Sequence, residues 1–360
     1  MFTITINTTV MSDFQKLTVK NITRETSKAV SITFDAPTKT GDTFSFISGQ
    51  YLTLKTTLDG EEVRRAYSIC SLPESESLSV AVKEVENGVF SGFANRTLQT
   101  GDTLEVHPPE GNFMLKPIPG AALNYMAFAA GSGITPIMSM IKTVLTHTET
   151  SRFILIYGNK TPEDTIFLNE LKALQEAHPD RLFIEWCYSR YDAEKTPFER
   201  IEKATVDHML KDKFAAMPVE TFYLCGPEAM IQTVSDTLIE NGIEKDRIQF
   251  ELFTTSANVT ETTADLEGQT TVTMVIENQE FTFVMDRRET LLDAALAKEI
   301  EPPYSCKSGV CRSCLCHIKE GTTTKVQSPI LSDDEMDEGK TLACSVHPTS
   351  DKIKINFEPM

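Results

Sequence analysis

The chain has 360 residues, 40% of them hydrophobic, and a formal net charge of −18. Its length allows two or three domains, and its charge argues against binding to nucleic acids or to anionic membranes. No apolar stretch approaches the roughly 18–20 residues that span a bilayer, and residues 1–11 lack the basic and apolar regions of an export signal. We therefore expect a cytoplasmic protein that uses neither nucleic acid nor membrane as a partner.

The first segment, predicted to be a domain over residues 12–118, consists of short alternating stretches separated by turns. Residues 17–20, 29–34, 51–55 and 78–83 have the composition of strands, and Asp59-Gly60 is a typical hairpin turn. This pattern predicts a small antiparallel β-barrel.

The second segment, residues 121–253, has a different rhythm. Apolar strands near residues 125–130, 153–157, 182–186 and 221–224 alternate with amphipathic stretches of helical length. Such alternation predicts an α/β domain around a parallel sheet.

Residues 254–270 are rich in Thr, Ser, Ala, Asn and acids and contain little to bury, so we interpret them as a flexible linker. A third domain is predicted over residues 271–360. Its sequence predicts a hairpin and a helix, which are followed by a cysteine-rich loop and further strands, so an α+β fold is expected.

The cysteine-rich loop is the most specific motif of the chain. Cys306, Cys311 and Cys314 have the spacing C-x4-C-x2-C, and Cys344 follows at a distance. Four thiolates at this spacing are typical of a plant-type [2Fe–2S] cluster, whereas a zinc site or a disulfide framework is the weaker alternative. Arg312 lies within this loop, and its positive charge is expected to raise the cluster potential.

Two further motifs on the first domain could hold a phosphorylated cofactor. Arg65 and Tyr67 alternate on a strand, where Arg65 could bind a pyrophosphate and Tyr67 could lie against an aromatic ring. A glycine turn at 88–91 leads into a helix start, whose N–H groups can bind phosphate. Taken alone, both motifs are also compatible with an ordinary strand and turn.

The second domain carries three candidate sites at strand ends. Gly131-Ser132-Gly133, followed by Pro136, resembles a dinucleotide loop but has Pro where the third glycine would be. Cys225-Gly226-Pro227 ends another strand, and Ser189-Arg190 could receive a 2′-phosphate with help from Lys160. A plain turn, a buried thiol and a surface cation are the respective alternatives.

Together these motifs, in this order, resemble ferredoxin–NADP⁺-reductase-like oxidoreductases with a fused plant-type ferredoxin domain. The resemblance extends over nearly the whole chain beyond about residue 12. Residues 59–70 and 293–311, together with Cys316, are most similar to the reductase components of phenylacetyl-CoA epoxidases. The resemblance implies a multidomain fold: an FAD-binding β-barrel, an NAD(P)-binding α/β domain and a β-grasp-like ferredoxin domain.

The resemblance also implies roles for individual residues. The residues implied to hold FAD are Arg65, Tyr67, Ser68, Val82, Lys83, Val89, Phe90 and Ser91, with Phe253 also near the flavin. The residues implied to hold NADPH, with NADH as the alternative, are Gly131, Ser132, Gly133, Thr135, Ser189, Arg190, Cys225, Gly226 and Pro227. Ser68, Cys225 and Glu251 are implied to be catalytic, with Ser68 near the flavin N5 and Cys225 beside the nicotinamide.

The implied function is transfer of electrons from NADPH through FAD and the cluster to an acceptor protein. A di-iron oxygenase is the expected partner, and because this chain has no Glu-x-x-His pair, the oxygen chemistry is assigned to that partner. The alternatives are the reductase of another hydroxylase or monooxygenase, and a non-catalytic electron-transfer or redox-sensing protein. The linker would allow the cluster domain to move between flavin and partner.

Overall fold

A computed structural model describes residues 14–191, 198–253, 266–324 and 330–357. Most of the predicted linker, 254–265, and residues 1–13 lie outside these ranges. The described residues form three sheets in succession along the chain. Among them, no helix combines the length and apolar composition that crossing a membrane requires.

The first sheet is antiparallel and curls into a barrel. Its strands follow the order β4-β3-β6-β1-β2-β5, and a bridge between Ile69 and Val80 joins its two edges. The strands are β1 Gln15–Thr26, β2 Ala29–Phe34, β3 Tyr51–Leu58, β4 Glu61–Ser68, β5 Leu78–Lys83 and β6 Thr103–Val106, and helix α1 is Val89–Arg96. The predicted antiparallel barrel is therefore confirmed.

The β3–β4 hairpin sets the register on which the site depends. Its turn residues Asp59 and Gly60 both have positive φ, 51° and 84°, as a two-residue hairpin turn requires. The resulting register places Tyr51 directly opposite Ser68.

The second sheet is wholly parallel, with the order β11-β10-β7-β8-β9. Its strands are β7 Asn124–Ala130, β8 Arg152–Asn159, β9 Leu182–Tyr188, β10 Val219–Cys225 and β11 Ile248–Glu251, and its helices are α2 Ile134–His147, α3 Leu168–Ala177, α4 Lys203–His208 and α5 Glu228–Glu240. Along β7, Tyr125 and Ala127 face one apolar core and Met126 and Phe128 face the other. Because helices cover both faces, the central strands β7 and β8 are buried over most of their length rather than at alternate residues.

The direction of strand progression reverses between β7 and β10. The chain leaves β7 for β8 and β9 on one side and returns to β10 and β11 on the other. In open parallel sheets, ligands bind at the carboxyl ends of the strands at such a reversal. The carboxyl ends of β7 and β10 carry the predicted glycine loop and Cys225.

The third sheet is mixed, with the order β13-β12-β16-β14-β15 and a parallel pair β12–β16 at its centre. Its strands are β12 Gln269–Ile276, β13 Gln279–Asp286, β14 Leu315–Glu320, β15 Lys340–Leu342 and β16 Lys352–Asn356, and its helices are α6 Leu291–Leu296 and α7 Asp333–Asp337. Buried residues of α6, such as Leu291 and Leu292, share a core with Val272 and Met274 of β12. The α+β, β-grasp-like expectation is confirmed, while the domain bounds 12–118, 121–253, 254–270 and 271–360 stay predictions.

Candidate functional site

Three strand ends from two domains meet at one point. Ser68 ends β4, Cys225 ends β10 and Glu251 ends β11, and Cys225 and Glu251 are register partners in the parallel sheet. Ser68 Oγ donates a hydrogen bond to Glu251 Oε2 across 3.0 Å. The structure thus brings together the three residues that the sequence analysis predicts to be catalytic.

The electrostatics of this point favour uncharged groups. Burial raises the pKa of the Glu251 carboxyl to about 8, although the hydrogen bond from Ser68 opposes this shift. Burial also raises the pKa of the Cys225 thiol, and the charge of Glu251 adds to the effect. Near neutral pH, Glu251 can therefore hold a proton at its carboxyl oxygens.

The predicted nucleotide loop packs directly against the Cys225 backbone. Gly131–Gly133 forms one 3₁₀ turn between β7 and α2. A Cβ atom on Gly133 would lie 2.0 Å from the carbonyl oxygen of Cys225, so only glycine permits this approach. Tyr157 donates a hydrogen bond to Gly131 O across 2.9 Å, and Thr135 donates one to Ser132 O across 3.0 Å, which hold the loop in place.

Gly226 and Pro227 continue the chain from Cys225 into α5, whose N-cap is Pro227. A Cβ atom on Gly226 would lie 3.1 Å from the Ala130 Cβ, so this turn also lies against the end of β7. Phe253, at the end of the described part of this domain, is 36% exposed and thus accessible to a ligand.

A rim of basic side chains borders the nucleotide loop. Lys83 Nζ lies 3.3 Å from the position that a Cβ of Gly131 would take. Burial, and secondly the charge of Lys160, lower the pKa of the Lys83 ammonium. The backbone N–H of Arg190 donates to Lys160 O across 2.8 Å and that of Ser189 to Asn159 O across 3.0 Å, which joins the ends of β8 and β9. Lys83, predicted as a flavin contact, therefore also lies beside the nucleotide loop.

The barrel presents the other predicted flavin residues. The half-buried Tyr67 ring lies 5.4 Å from the Phe90 ring, and Arg65 is exposed, with its guanidinium donating to Arg64 O. Val82 and Phe90 are buried in the barrel core, so only their main chains can face a cofactor.

Helix α1 begins after Gly88, and its N-cap residue makes no side-chain hydrogen bond. The N–H groups of a first helical turn have no partner within the helix, and here no capping side chain binds them either. A Cβ atom on Gly88 would lie 2.2 Å from Ser91 Oγ and 2.5 Å from Val85 Cγ2, so a larger residue here would displace both side chains. The exposed Val89 stands at the first position of the helix. Such a helix start can bind phosphate.

The four cysteines of the spacing motif lie in two pairs. The hydrogen bond with Cys311 lowers the pKa of the Cys306 thiol, and the one with Cys314 lowers the pKa of the Cys344 thiol. The backbone N–H of Ser308 donates to Cys306 Sγ across 3.3 Å. Two thiol pairs fit a cluster of two irons, because each iron takes two protein thiolates. Within the described residues, no three His, Cys, Asp or Glu side chains are arranged as ligands of a single ion.

Cys316 lies apart from this chemistry. It is 3% exposed, and burial raises the pKa of its thiol to about 12, so it stays protonated.

The cysteine loop also contains a glycine with a left-handed backbone conformation. Gly309 has a φ of +72°, and a Cβ there would lie 2.7 Å from Ser345 Oγ, so the loop requires glycine at this position.

The cysteine loop contacts the barrel directly. Tyr51 on β3 donates its phenol hydrogen to Cys311 O across 2.9 Å and lies 2.8 Å from Ser313 Oγ. Thr53 Oγ1 lies 2.7 Å from Ser305 Oγ. A cleft of about 360 Å³ at this junction is lined by residues of all three domains, among them Phe113, Glu251, Val310, Arg312 and Glu335.

Comparisons with known proteins agree with this domain arrangement. Three family models match the chain: an oxidoreductase FAD-binding domain over residues 16–115, an oxidoreductase NAD-binding domain over 128–236, and a 2Fe-2S iron-sulfur cluster binding domain over 274–349. One component protein of the 1,2-phenylacetyl-CoA epoxidase from Escherichia coli (strain K12) is 34% identical over 97% of this chain and 99% of that protein. The chain belongs to this family of FAD- and NAD-binding iron–sulfur reductases.

Other reductases are similar over the same length. The ferredoxin reductase component of 3-ketosteroid-9-alpha-monooxygenase from Rhodococcus rhodochrous is 32% identical over 95% of this chain and 96% of that protein. Phthalate dioxygenase reductase, described as a modular structure for electron transfer from pyridine nucleotides to [2Fe–2S], superimposes with a TM-score of 0.61. It is 25% identical, and the match covers 95% of this chain and 98% of that structure.

The reductase is therefore an NAD(P)H:acceptor oxidoreductase with domains for FAD, a nicotinamide nucleotide and a [2Fe–2S] cluster. Sequence reasoning missed Tyr51, Thr53 and Arg64, which join the barrel to the cysteine loop. Their partners lie more than 200 positions away, and neither a hydroxyl nor a guanidinium on a strand carries a local signal for such a contact.

Proposed function

We propose that this reductase draws electrons from NADPH and delivers them singly to a di-iron oxygenase, the phenylacetyl-CoA epoxidase of phenylacetate degradation. The observation that carries the proposal is the meeting of Ser68, Cys225 and Glu251 beside a cysteine loop that Tyr51 contacts. The 34% identity to a component of that epoxidase supports this partner. A steroid monooxygenase is the second candidate, because its reductase component is 32% identical.

The chemistry that bound FAD supplies is conversion of one hydride, which carries two electrons, into single electrons that a [2Fe–2S] cluster can carry. One NADPH would thus reduce two one-electron acceptors and release one proton. Ser68 and Glu251 would hold a proton at the flavin edge, between Ser68 Oγ and Glu251 Oε2. Cys225 and the glycine loop would bind and orient the nicotinamide nucleotide, while Cys306, Cys311, Cys314 and Cys344 would hold the cluster.

We also propose that NADPH is preferred over NADH. Arg190 follows β9, and its main chain pairs with that of Lys160 after β8, so the two cationic residues lie side by side at the carboxyl ends of neighbouring strands. A 2′-phosphate carries the charge that such cations bind with strong hydrogen bonds. Arg190→Ala should lower kcat/KM for NADPH by about tenfold or more, since hydrogen bonds to charged groups are worth roughly 1.5–3 kcal/mol.

A direct test uses the purified holoprotein without oxygen. Addition of NADPH should bleach the flavin band and then the cluster band, and the reduced protein should support oxygen consumption by the epoxidase only when phenylacetyl-CoA is present. Absence of flavin bleaching would favour the redox-sensing alternative. Bleaching without support of the epoxidase, but with support of a steroid monooxygenase, would favour the second candidate.

We further propose a reducing compartment, the cytoplasm, for this protein. All eight cysteines are free thiols, and four of them are the proposed cluster ligands. Thiols of this kind are typical of reducing environments.

A further inference from the structure

We propose that Tyr51 and Thr53 form a docking latch, which holds the cysteine loop against the barrel in the position for electron transfer from the flavin. The latch comprises these two residues and their partners Ser305, Cys311 and Ser313. It is a positioning device that rests on the proposed function, because it matters only if electrons pass from flavin to cluster.

Tyr51 forms the inner part of the latch. Its side chain is buried, with 5% of the residue exposed, and its hydroxyl reaches the main chain of Cys311 and the side chain of Ser313. Because Cys311 is a proposed cluster ligand, this hydrogen bond places a ligand residue of the cluster on the barrel wall.

Thr53 makes the second contact of the latch, two residues further along the same face of β3. Both Thr53 and Ser305 are 2% exposed, and their hydroxyl oxygens lie 2.7 Å apart. A hydroxyl buried without a partner costs about 1–3 kcal/mol, so each of these groups depends on the other when the domains are docked. Ser305 directly precedes Cys306, so this contact holds the other end of the cysteine loop.

Arg64 supports the latch from the neighbouring strand β4. Its guanidinium lies 4.4 Å from the centre of the Tyr304 ring and 3.7 Å from Glu301 Oε2, and its side chain is 9% exposed. Arg64 faces Lys55 in the hairpin register, so its contacts flank the two hydroxyls rather than replace them.

The hairpin register connects the latch to the flavin site. Tyr51 is the direct cross-strand partner of Ser68, which contacts Glu251 on the other side of the junction. Tyr51, which holds the cysteine loop, and Ser68, which is proposed to lie at the flavin N5, thus form one cross-strand pair of the same hairpin. A displacement of the cysteine loop would therefore directly change its distance from the Tyr51–Ser68 pair.

The polar character of the latch also permits release. Single hydrogen bonds contribute about 0.5–1.5 kcal/mol each, so a contact built from a few of them can open and close. The cysteine loop could then alternate between the barrel and an acceptor protein.

The experiment compares the holoprotein with Tyr51→Phe, Thr53→Val and the double variant. After anaerobic mixing with NADPH in a stopped-flow instrument, we expect flavin bleaching to stay within about twofold of the wild type. Cluster reduction should slow on the order of tenfold in the double variant, because an unpaired buried hydroxyl weakens docking by a factor of this size. Hydrogen–deuterium exchange of residues 304–313 should increase in parallel.

Two controls separate docking from general damage. Thr53→Ser keeps the hydroxyl and should restore both the rate and the protection from exchange. Thr57→Val makes the same change at an exposed position of β3 and should have no effect.

Unchanged cluster reduction and unchanged exchange in the double variant would overturn the latch and leave the proposed function standing. A wild-type protein whose flavin bleaches but whose cluster stays oxidised would overturn the proposed function, and the latch with it.

Discussion

Ser68 Oγ donates a hydrogen bond to Glu251 Oε2 across 3.0 Å, although the two residues are 183 positions apart and belong to different domains. This contact closes the junction between the barrel and the parallel sheet. Glu251 lies at this junction, where burial raises the pKa of its carboxyl to about 8 although the hydrogen bond from Ser68 opposes the shift. The contribution of Glu251 to the free energy of unfolding should therefore depend on pH.

The first prediction concerns how the stability of the protein changes with pH because of Glu251. Below about pH 4.5, Glu251 is protonated whether the protein is folded or not; between about 4.5 and 8, only the folded state keeps the proton. The free energy of unfolding should therefore fall as pH rises through this window. Thermal unfolding midpoints at several pH values should fall less steeply in Glu251→Gln than in the wild type.

Glu244→Gln, which changes an exposed carboxylate of the same domain, provides the matched control. Equal slopes for wild type and Glu251→Gln would show that the buried carboxyl does not contribute to this pH dependence.

The second prediction concerns the charge beside the cluster. The sequence alone predicts a cation at Arg312, and in the structure its guanidinium is paired with Glu335 across 2.5 Å and donates to Ile330 O across 2.6 Å. The hydrogen bond from Arg312 lowers the pKa of Glu335 to about 2, so both groups are charged near neutral pH. Removing one partner therefore leaves the other charge uncompensated.

Arg312→Gly should make the cluster harder to reduce, and Glu335→Gln should make it easier to reduce, each by tens of millivolts at most because the pair is partly exposed. The double variant should lie close to the wild type. Redox titration measures all three midpoint potentials, and shifts of the same sign in both single variants would contradict the electrostatic account.

The third prediction concerns the close approach of Gly133 to Cys225. An added Cβ would lie 2.0 Å from a carbonyl oxygen, so the nucleotide loop must move in Gly133→Ala. We expect KM for NADPH to rise about tenfold or more, with the FAD and iron contents unchanged. Gly120→Ala is the comparison: φ there is +75°, but the new methyl group meets no atom within 4 Å, so it tests backbone strain alone.

If Gly133→Ala kept the wild-type KM for NADPH, the glycine loop would not be part of the nucleotide site. A rise of equal size in Gly120→Ala would instead attribute the effect to strain transmitted through the fold.

The fourth prediction distinguishes the cysteines that bind the cluster from Cys316, which is expected not to bind it. Cys344→Ser should lose most of its bound iron and its cluster absorbance while keeping the flavin, because one thiolate of the second pair is gone. Cys316→Ser, two residues past Cys314 and buried, should keep both. Iron analysis and visible spectra of the two variants are the measurement, and equal iron loss in both would contradict the proposed ligand set.

The sequence predicted the local chemistry well where the signal is contained in neighbouring residues. The C-x4-C-x2-C spacing and the strand periodicities depend only on short-range geometry, and the family comparison confirms the domains that they indicate. The roles predicted for Ser68 and Glu251 came from resemblance alone, because a serine and a glutamate at strand ends form no recognisable motif.

What the sequence by itself determined is therefore the set of modules: an antiparallel barrel, a parallel nucleotide sheet and a cysteine loop with its distant fourth thiol. Only the tertiary structure decided how these modules meet, through the contact of Tyr51 with Cys311, the pairing of Thr53 with Ser305 and the ion pair between Arg312 and Glu335. Strand and loop patterns arise from interactions over a few residues. Contacts between domains depend on where separately folded surfaces come to rest, which no spacing along the chain encodes.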